Sequence, residues 1–355
     1  MSATMSDIAT MVGTSVAAVS VTLNGAKSKT LKVSPETRQR ILDAAEELGY
    51  RRNPLAGALA TGRSRILGLM LPHAWAYADH DPFYSLISTG VTACANRHGY
   101  NVMLYSAAAE DEGARAAQMI DKLTAGVIFV SPPGETPLYA ECDRQHIPYV
   151  TILAGSESGP LTVNSDDYQG GLLATRHLTG LGHVRIAHLL GQPEVVTTTP
   201  RHQGYLDALS EVGIAPDPEL FVQGEFNRAV SYKATRKLMS LPVDRRPTAI
   251  FAGNDLSAHG AIEAVADSGL DVPGDIAVVG YDDTWYATVT RPMLTSIKMD
   301  VPAVGHHAAE MLISFLEGRG PAQPHLTLPV SLTIRESCGA SRASQLEFRH
   351  RYRPH

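Results

Sequence analysis

The residue types that usually perform chemistry are present in this chain, but their spacing fits no catalytic site. The motifs GxxxxGK[ST], GxSxG and HExxH do not occur in the 355 residues, nor does GxGxxG after a strand. The 14 histidines do not pair with acids at metal-ligand spacing, and the adjacent His306 and His307 point to different sides of a helix. We therefore predict no enzymatic activity, no metal site and no cofactor.

The composition is that of an ordinary globular protein with two or three domains. No stretch approaches the roughly 20 consecutive apolar residues of a membrane helix, so no membrane partner is predicted. Residues 1–11 lack the basic and apolar segments of a secretory signal. The three cysteines are scattered, without a CxxC pair, which favours a reducing compartment. We expect a cytoplasmic protein.

The charge is distributed unevenly along the chain. The net charge is −6, but residues 1–65 carry nine Lys and Arg against five Asp and Glu. This basic end precedes a strongly acidic remainder. Such an asymmetry is typical of a terminal module that binds a polyanion, although a chance excess on a solvated surface gives the same count.

Three short helices are predicted in the first 48 residues. Thr4 is placed to cap the first helix, and Gly13 ends it because glycine readily adopts a left-handed conformation. Ser15 can cap a second helix over 16–23, and Ser34-Pro35 is a typical start for a third. Two helices joined by a glycine turn and followed by a third predict a helix-turn-helix bundle.

From Ile66 onward, apolar strand-like runs alternate with helical patterns. This alternation predicts two successive α/β units with parallel sheets, which bind ligands at the carboxyl ends of their strands. Strands are predicted near 66–71, 100–105, 127–130, 148–153, 184–190, 220–223, 248–252 and 276–281. Helices are predicted near 83–98, 110–124, 137–145, 168–181, 200–212, 228–240 and 255–268.

Two motifs near the N-terminus carry a family resemblance. The run Ile8-Ala9-x-x-x-Gly13-x-Ser15-x-x-x-Val19-Ser20-x-x-Leu23-Asn24-Gly25 resembles the DNA-reading headpiece of the LacI/GalR transcription regulators. The run Glu47-Leu48-Gly49-Tyr50-x-x-Asn53-Pro54-x-Ala56-x-x-Leu59-Ala60-Thr61-Gly62 resembles their hinge helix, which in that family forms when two subunits sit together on the operator.

The resemblance implies which residues contact DNA. The helix that begins at Val16 would enter the major groove, with Val16, Ala17 and Val21 at the base-reading positions. None of these three side chains is polar, so they offer only apolar contacts, most favourably to thymine methyl groups. Leu59 would wedge into the minor groove. The other implied contacts are those of Thr4, Ser15, Ser20 and Asn24 with phosphates and those of Asn53, Leu55 and Ala56 in the hinge.

Further motifs extend the resemblance to about Arg335, among them Ala252-Gly253-Asn254-Asp255 and Val279-Gly280-Tyr281-Asp282-Asp283. They imply a two-lobed core like that of periplasmic binding proteins. The implied domains are a headpiece (1–48), a hinge (49–63), an N-terminal lobe (64–163 with 294–325), a C-terminal lobe (164–293 with 326–338) and a basic tail (339–355), which we expect to be disordered.

The same resemblance implies an effector site between the lobes. Arg201, in an Arg-x-x-Gly-Tyr run, corresponds to the arginine that grips ligand hydroxyls or oxyanions, and Asn254 and Asp282 would hydrogen-bond from the other lobe. Phe83 and Phe226 would stack on a sugar or base ring, unless they belong to the core. Asp282 could instead cap a helix. The remaining candidates are His73 and Thr197.

These observations predict a homodimeric regulator, most often a repressor in this family, whose affinity for double-stranded operator DNA is controlled by a sugar-like effector. Three alternatives remain open on the sequence. The effector could be a purine that acts as a corepressor, a protein partner could be required, or the chain could be a sugar-binding protein without regulatory activity.

Overall fold

The computed structural model describes residues 3–24, 33–50, 64–72, 81–105, 123–131, 136–155 and 159–340. The chain divides into two compact units, Met1–Arg65 and Ile66–His355, and each is described by itself. Within the described residues no single helix is both long and apolar enough to cross a membrane. One pair of described helices, Met5–Val12 and Val16–Leu23, reaches the length and apolar composition of a membrane span when the two are taken together, but the pair is bent by 111°.

The N-terminal unit contains the three predicted helices, α1 (Met5–Val12), α2 (Val16–Asn24) and α3 (Pro35–Glu47). The Thr4 side chain caps α1 together with Asp7, and Gly13 ends the helix with a φ of 70°. The helices enclose a small apolar core formed by Ile8, Ala9, Val12, Val19, Ile41, Ala44 and Ala45.

The C-terminal unit contains two six-stranded sheets. The order of the first is β11-β5-β4-β3-β1-β2 and that of the second is β12-β10-β9-β8-β6-β7. Adjacent strands are parallel, except that β10 and β12 are antiparallel. The strands are β1 (Ile66–Met70), β2 (Asn101–Tyr105), β3 (Gly126–Val130), β4 (Tyr149–Ile152), β5 (Thr162–Ser165), β6 (Ile186–Leu190), β7 (Phe221–Gln223), β8 (Ala249–Ala252), β9 (Ala277–Asp282), β10 (Thr295–Lys298), β11 (His325–Leu328) and β12 (Ser331–Thr333).

Helices cover these sheets, as the apolar composition of the central strands requires. The strands β3 and β8 are buried along their whole length, which is typical of parallel strands covered on both faces. The described helices are α4 (Pro82–Arg97), α5 (Pro137–Gln145), α6 (Asp167–Gly180), α7 (Thr198–Glu211), α8 (Arg228–Met239), α9 (Asp255–Ala266), α10 (Tyr286–Val289) and α11 (Val301–Leu316), together with a 3-10 turn at Pro218–Leu220.

The chain passes between the sheets after β5, after β10 and after β11. All three crossings lie a few residues later than the expected boundaries at 163/164, 293/294 and 325/326; the first expected boundary falls within β5. β10 pairs with β9 in the second sheet, and β11 pairs with β5 in the first, so each late crossing lies a few residues further along the chain. A short run such as Leu294–Ile297 is compatible with either sheet, and the strand with which it pairs determines its place.

Some expectations fall outside the described ranges, among them most of the helix near 110–124, hinge residues 51–63 and tail residues 341–355. The three cysteines are buried and free. Among the described residues, no group of three or more His, Cys, Asp or Glu side chains could hold a metal ion.

Candidate functional site

The buried guanidinium of Arg201 is the centre of a polar cluster in the C-terminal unit. Arg201 lies in the first turn of α7 and is only 4% exposed. Its Nε donates to Asp167 Oδ1 at 2.8 Å, and one Nη donates to the Gly253 carbonyl oxygen at 2.6 Å. The other Nη lies 4.0 Å from Asp282 Oδ1. Residues from the starts of α6 and α7 and from the ends of β8 and β9 thus meet at one arginine.

Aromatic rings cover the Arg201 guanidinium. Its central carbon lies 3.6 Å from the centroid of the Tyr281 ring and 5.4 Å from that of Phe226. The Tyr281 hydroxyl donates to Asp167 Oδ1 at 3.1 Å, so one carboxylate oxygen holds both groups. Burial by itself would lower the pKa of Arg201, but the nearby Asp167, Tyr281 and Asp282 raise it above its ordinary value. The arginine is therefore charged at any physiological pH.

Asp282, the last residue of β9, is 5% exposed and has a φ of 98°. A positive φ is strained for a residue other than glycine, and such strain is often found at binding sites. Its Oδ1 accepts no hydrogen bond from the described residues. Burial raises the pKa of Asp282 well above its usual range, although Arg201 opposes the shift. A ligand that donates hydrogen bonds would satisfy this oxygen.

Two neighbours of Asp282 hold the adjacent strand ends in place. The Asn254 side chain caps α9: its Oδ1 accepts from the Ser257 amide at 2.9 Å, while its Nδ2 donates to the Phe226 carbonyl oxygen at 3.2 Å. Asp255 is fully buried and accepts from the Ser296 hydroxyl at 2.5 Å. Burial raises the pKa of Asp255 to about 7. Asn254 is thus engaged within the protein, and its contact with an effector stays a prediction.

Phe226 owes its position to two glycines. The residue has a φ of 52°, and any Cβ at Gly191 would collide with its ring. Gly253 approaches the opposite edge of the ring. The backbone between β7 and α8 therefore places an aromatic ring directly beside Arg201.

The N-terminus of α4, which covers the first sheet, lies near the Asp282 carboxyl. Asp81 caps this helix and contributes to the raised pKa of Asp282. The pKa of Tyr84 is raised by burial and then by the charges of Asp81 and Asp282. Phe83 contacts Tyr84 edge to face at 5.3 Å and packs in the apolar core. The tyrosine is therefore an additional candidate for contact with a ligand, and stacking by Phe83 stays a prediction.

A cavity of about 260 Å³ opens beside this cluster. It lies at the carboxyl ends of β4 and β5, where ligands of parallel sheets usually bind, and beside the start of α7. Thr197, whose side chain makes no capping hydrogen bond to α7, lines it together with Asp167. The other lining residues are Leu153, Ala154, Gly155, Asn164, Ser165, Asp166, Tyr168, Val196, Pro200 and Thr327.

The structure thus brings Arg201, Asp282, Phe226 and Asn254 together, and it places Thr197 at the adjoining cavity. His73 lies outside the described residues. Four further members of the cluster were not predicted from the sequence: Asp167, Tyr281, Tyr84 and Asp255. The run Asp166-Asp167-Tyr168 directly after a strand was the available signal for Asp167, because side chains at the carboxyl ends of parallel strands converge.

In the N-terminal unit, the start of α2 presents small apolar side chains to solvent. Val16 is 48% exposed and Ala17 is also exposed, while Ser20 and Val21 are half-buried. The Ser15 hydroxyl accepts from the Ala18 amide at 3.2 Å. Its side chain is thus partly used in capping α2.

The Thr4 hydroxyl donates to Asp7 at 2.8 Å, so its contact with a phosphate stays a prediction. The predicted contacts of the Asn24 side chain and of Asn53, Leu55, Ala56 and Leu59 lie outside the described residues.

Comparison with known proteins identifies the family to which the chain belongs. A model described as bacterial regulatory proteins, lacI family, matches residues 4–53, and one described as a periplasmic binding protein-like domain matches residues 175–338. The chain is 32% identical over 344 residues to the HTH-type transcriptional regulator CelR of Thermobifida fusca, covering 94% of this chain and 98% of the relative.

Two solved structures are similar along nearly the whole chain. The transcriptional regulator CelR–cellobiose complex has a TM-score of 0.71 and 29% identity, covering 94% of this chain and 99% of that one. The lac repressor dimer bound to operator and the anti-inducer ONPF has a TM-score of 0.83 and 27% identity, covering 96% and 100%.

A helix-turn-helix unit joined to a periplasmic-binding-protein-like core defines a class of DNA-binding transcription regulators, not enzymes. Within that class, the chain belongs to the LacI family of bacterial regulatory proteins. The prediction of family, fold and regulatory class is confirmed.

Proposed function

We propose that this protein is a dimeric repressor whose affinity for operator DNA is controlled by a sugar or sugar derivative bound beside Arg201 and Asp282. The relative in complex with cellobiose and the lac repressor dimer on its operator support the proposal by analogy. A two-fold dimer presents two headpieces to the two halves of a pseudo-palindromic operator.

One observation carries the proposed effector chemistry. Asp282 Oδ1 is buried without a hydrogen-bond partner among the described residues, and it lies 4.0 Å from a guanidinium nitrogen. A hydroxyl group can donate to the carboxylate while it accepts from the arginine, so adjacent hydroxyls of a sugar suit this pair. The rings of Phe226 and Tyr84 supply apolar surface nearby.

The effector site can control DNA binding because its residues come from both sheets. Asp282 ends β9 of the second sheet, and Arg201 lies on α7, which follows β6 of that sheet. Asp81 and Tyr84 lie at the start of α4, which covers the first sheet. We propose that an effector changes the relation of the lobes and thereby the spacing at which two headpieces meet DNA. A coupling of about 1–3 kcal/mol corresponds to roughly 5- to 150-fold changes in operator affinity.

In the DNA interface we propose that Val16 and Ala17 contact bases directly. Their exposure at the start of α2 supports this role, since α2 is the second helix of the helix-turn-helix. Apolar side chains select thymine methyl groups, so part of the base selectivity would come from DNA shape and from the hinge.

The test is a thermal-melting screen of the full chain against sugars, sugar phosphates and purines. A ligand at a hundredfold excess over its Kd stabilises the native state by about 2.7 kcal/mol. We expect a sugar to raise the melting temperature of the wild type and of Asp244→Asn, an exposed control position, but not that of Asp282→Asn.

The affinity for operator DNA is then measured at increasing concentrations of the sugar that binds. An operator affinity that does not change with any bound ligand contradicts the allosteric mechanism, and a screen in which no sugar binds contradicts the proposed effector class.

A further inference from the structure

The helix α2 has one side that packs in the N-terminal unit and one side that points away from it. The buried side consists of Ala18, Val19 and Thr22, at the i, i+1, i+4 spacing of a single helix face. The opposite side, which we call the reading face, consists of Val16, Ala17, Ser20 and Val21. In a helix-turn-helix the second helix enters the major groove, so these four side chains are the ones that α2 presents to bases.

The reading face has no side chain that identifies a purine by hydrogen bonds. Guanine is usually read by Arg or Lys and adenine by Asn or Gln, because these side chains match the paired donors and acceptors of each base. Residues 13–23 include none of these four residue types. The hydroxyl of Ser20 can donate or accept, so it does not single out one base pair.

An apolar side chain responds to one feature of the major groove, the methyl group at C5 of thymine. Val16 is 48% exposed and brings two methyl groups to the start of α2, which is the part of such a helix that contacts base edges. Val21 presents a second branched side chain five positions further along. Thymine and 5-methylcytosine share the C5 methyl group and differ only in groups that form hydrogen bonds, so a valine cannot tell them apart.

We propose that the reading face recognises C5-methylated pyrimidines, so that 5-methylcytosine can replace thymine at the operator positions contacted by α2. The inference rests on the proposed function, because it concerns the DNA bound by the same headpiece. Burial of one methyl group corresponds to about a fourfold change in affinity. A two-fold dimer makes the contact in both half-sites, which gives about a 15-fold change. Methylation of a cytosine at such a position therefore strengthens binding.

The experiment selects duplexes that bind the full chain from three random libraries. One library contains the four ordinary bases, the second contains uracil in place of thymine, and the third contains 5-methylcytosine in place of cytosine. We expect the third library to yield 5-methylcytosine beside thymine at positions where the first yields thymine and excludes cytosine.

Synthetic operators based on the selected sequence then give the magnitude. Uracil in place of thymine at one contacted position of both half-sites should weaken binding about 15-fold. In the same positions 5-methylcytosine should bind as tightly as thymine, and unmethylated cytosine should bind as weakly as uracil.

Two variants test whether the effect arises at the reading face. Val16→Ala removes two methyl groups at an exposed position of a helix that alanine favours, so the loss of affinity caused by uracil should become severalfold smaller. Val243→Ala, at a position of the C-terminal unit that is 82% exposed, is the matched control and should leave that loss unchanged.

Uracil operators that bind as tightly as their thymine parents overturn the inference and leave the proposed operator binding intact. The same holds for a third library in which 5-methylcytosine is excluded wherever cytosine is. A Val16→Ala variant that keeps the full loss caused by uracil shows that the methyl group is recognised elsewhere, which also overturns the inference. If no duplex is enriched from any library, the proposed DNA binding fails together with it.

Discussion

Replacement of Arg201 by methionine tests whether the buried ion pair organises the cleft. Methionine fills much of the same volume but leaves Asp167 and Asp282 without their shared cation. Asp167 keeps the Ser165 and Tyr281 hydroxyls, each at 3.1 Å, whereas Asp282 Oδ1 keeps no donor among the described residues. Removal of one partner from a buried pair typically costs about 3–5 kcal/mol, and we expect a loss in that range at pH 7.

The assay is urea unfolding of the full chain, followed by circular dichroism, with Arg245→Met as the matched control. Arg245 pairs with Glu219 at 2.6 Å, but both side chains are at least a third exposed, so the control should lose no more than about 1 kcal/mol. A double-mutant cycle of Arg201→Met with Asp167→Asn should give a coupling energy of about 0.5–3 kcal/mol.

The defect of Arg201→Met should shrink as the pH falls, because protonation removes the charge of Asp282, whose pKa burial raises well above its usual range. A loss no larger than that of Arg245→Met would contradict an organising role for the buried ion pair, as would a defect that does not depend on pH.

Three further predictions concern packing, acid stability and the headpiece. Gly204→Ala should lower the free energy of unfolding by more than about 1 kcal/mol, because a Cβ there would collide with the backbone of α6. Gly180 has open space around it, so Gly180→Ala should be neutral or stabilising. Equal effects of the two variants in urea unfolding would contradict the close helix contact. Burial, with a smaller contribution from His183, lowers the pKa of His177 to about 4, so the unfolded chain binds a proton that the folded chain does not between pH 6.5 and 4. The free energy of unfolding should therefore decrease as the pH is lowered from 6.5 to 4. It should decrease less in His177→Gln, as measured by thermal melting at several pH values. Thr4→Ala removes a helix cap and should cost the N-terminal unit about 1 kcal/mol, seen as an earlier loss of helical signal on heating; an unchanged melting profile would show that the cap is dispensable.

Local signals in the sequence were sufficient to predict most elements of secondary structure. Thr4, Gly13 and Ser34 act on the backbone within a few residues, so the ends of α1 and the start of α3 are readable without tertiary contacts. The uninterrupted apolar runs of β3 and β8 likewise indicate strands that are buried on both faces.

Strand order was less accessible because pairing depends on partners far along the chain. Residues 295–298 and 326–328 were each expected in the opposite lobe, and only the parallel pairing of β10 with β9 and of β11 with β5 fixes where they lie. Nothing in a four-residue apolar or alternating run encodes the identity of its neighbour.

Local signals in the sequence were enough to predict the helix-turn-helix. Its resemblance to a family indicated the regulatory class and the candidate pair of Arg201 and Asp282. The surroundings of that pair depend on contacts between residues that are far apart in the sequence. Asp167 meets Arg201 across 34 positions, and Tyr281 meets Asp167 across 114. Burial then sets the charge states of the cluster, because the energy of a charge depends on its solvent exposure and its neighbours in space and not on its neighbours in sequence.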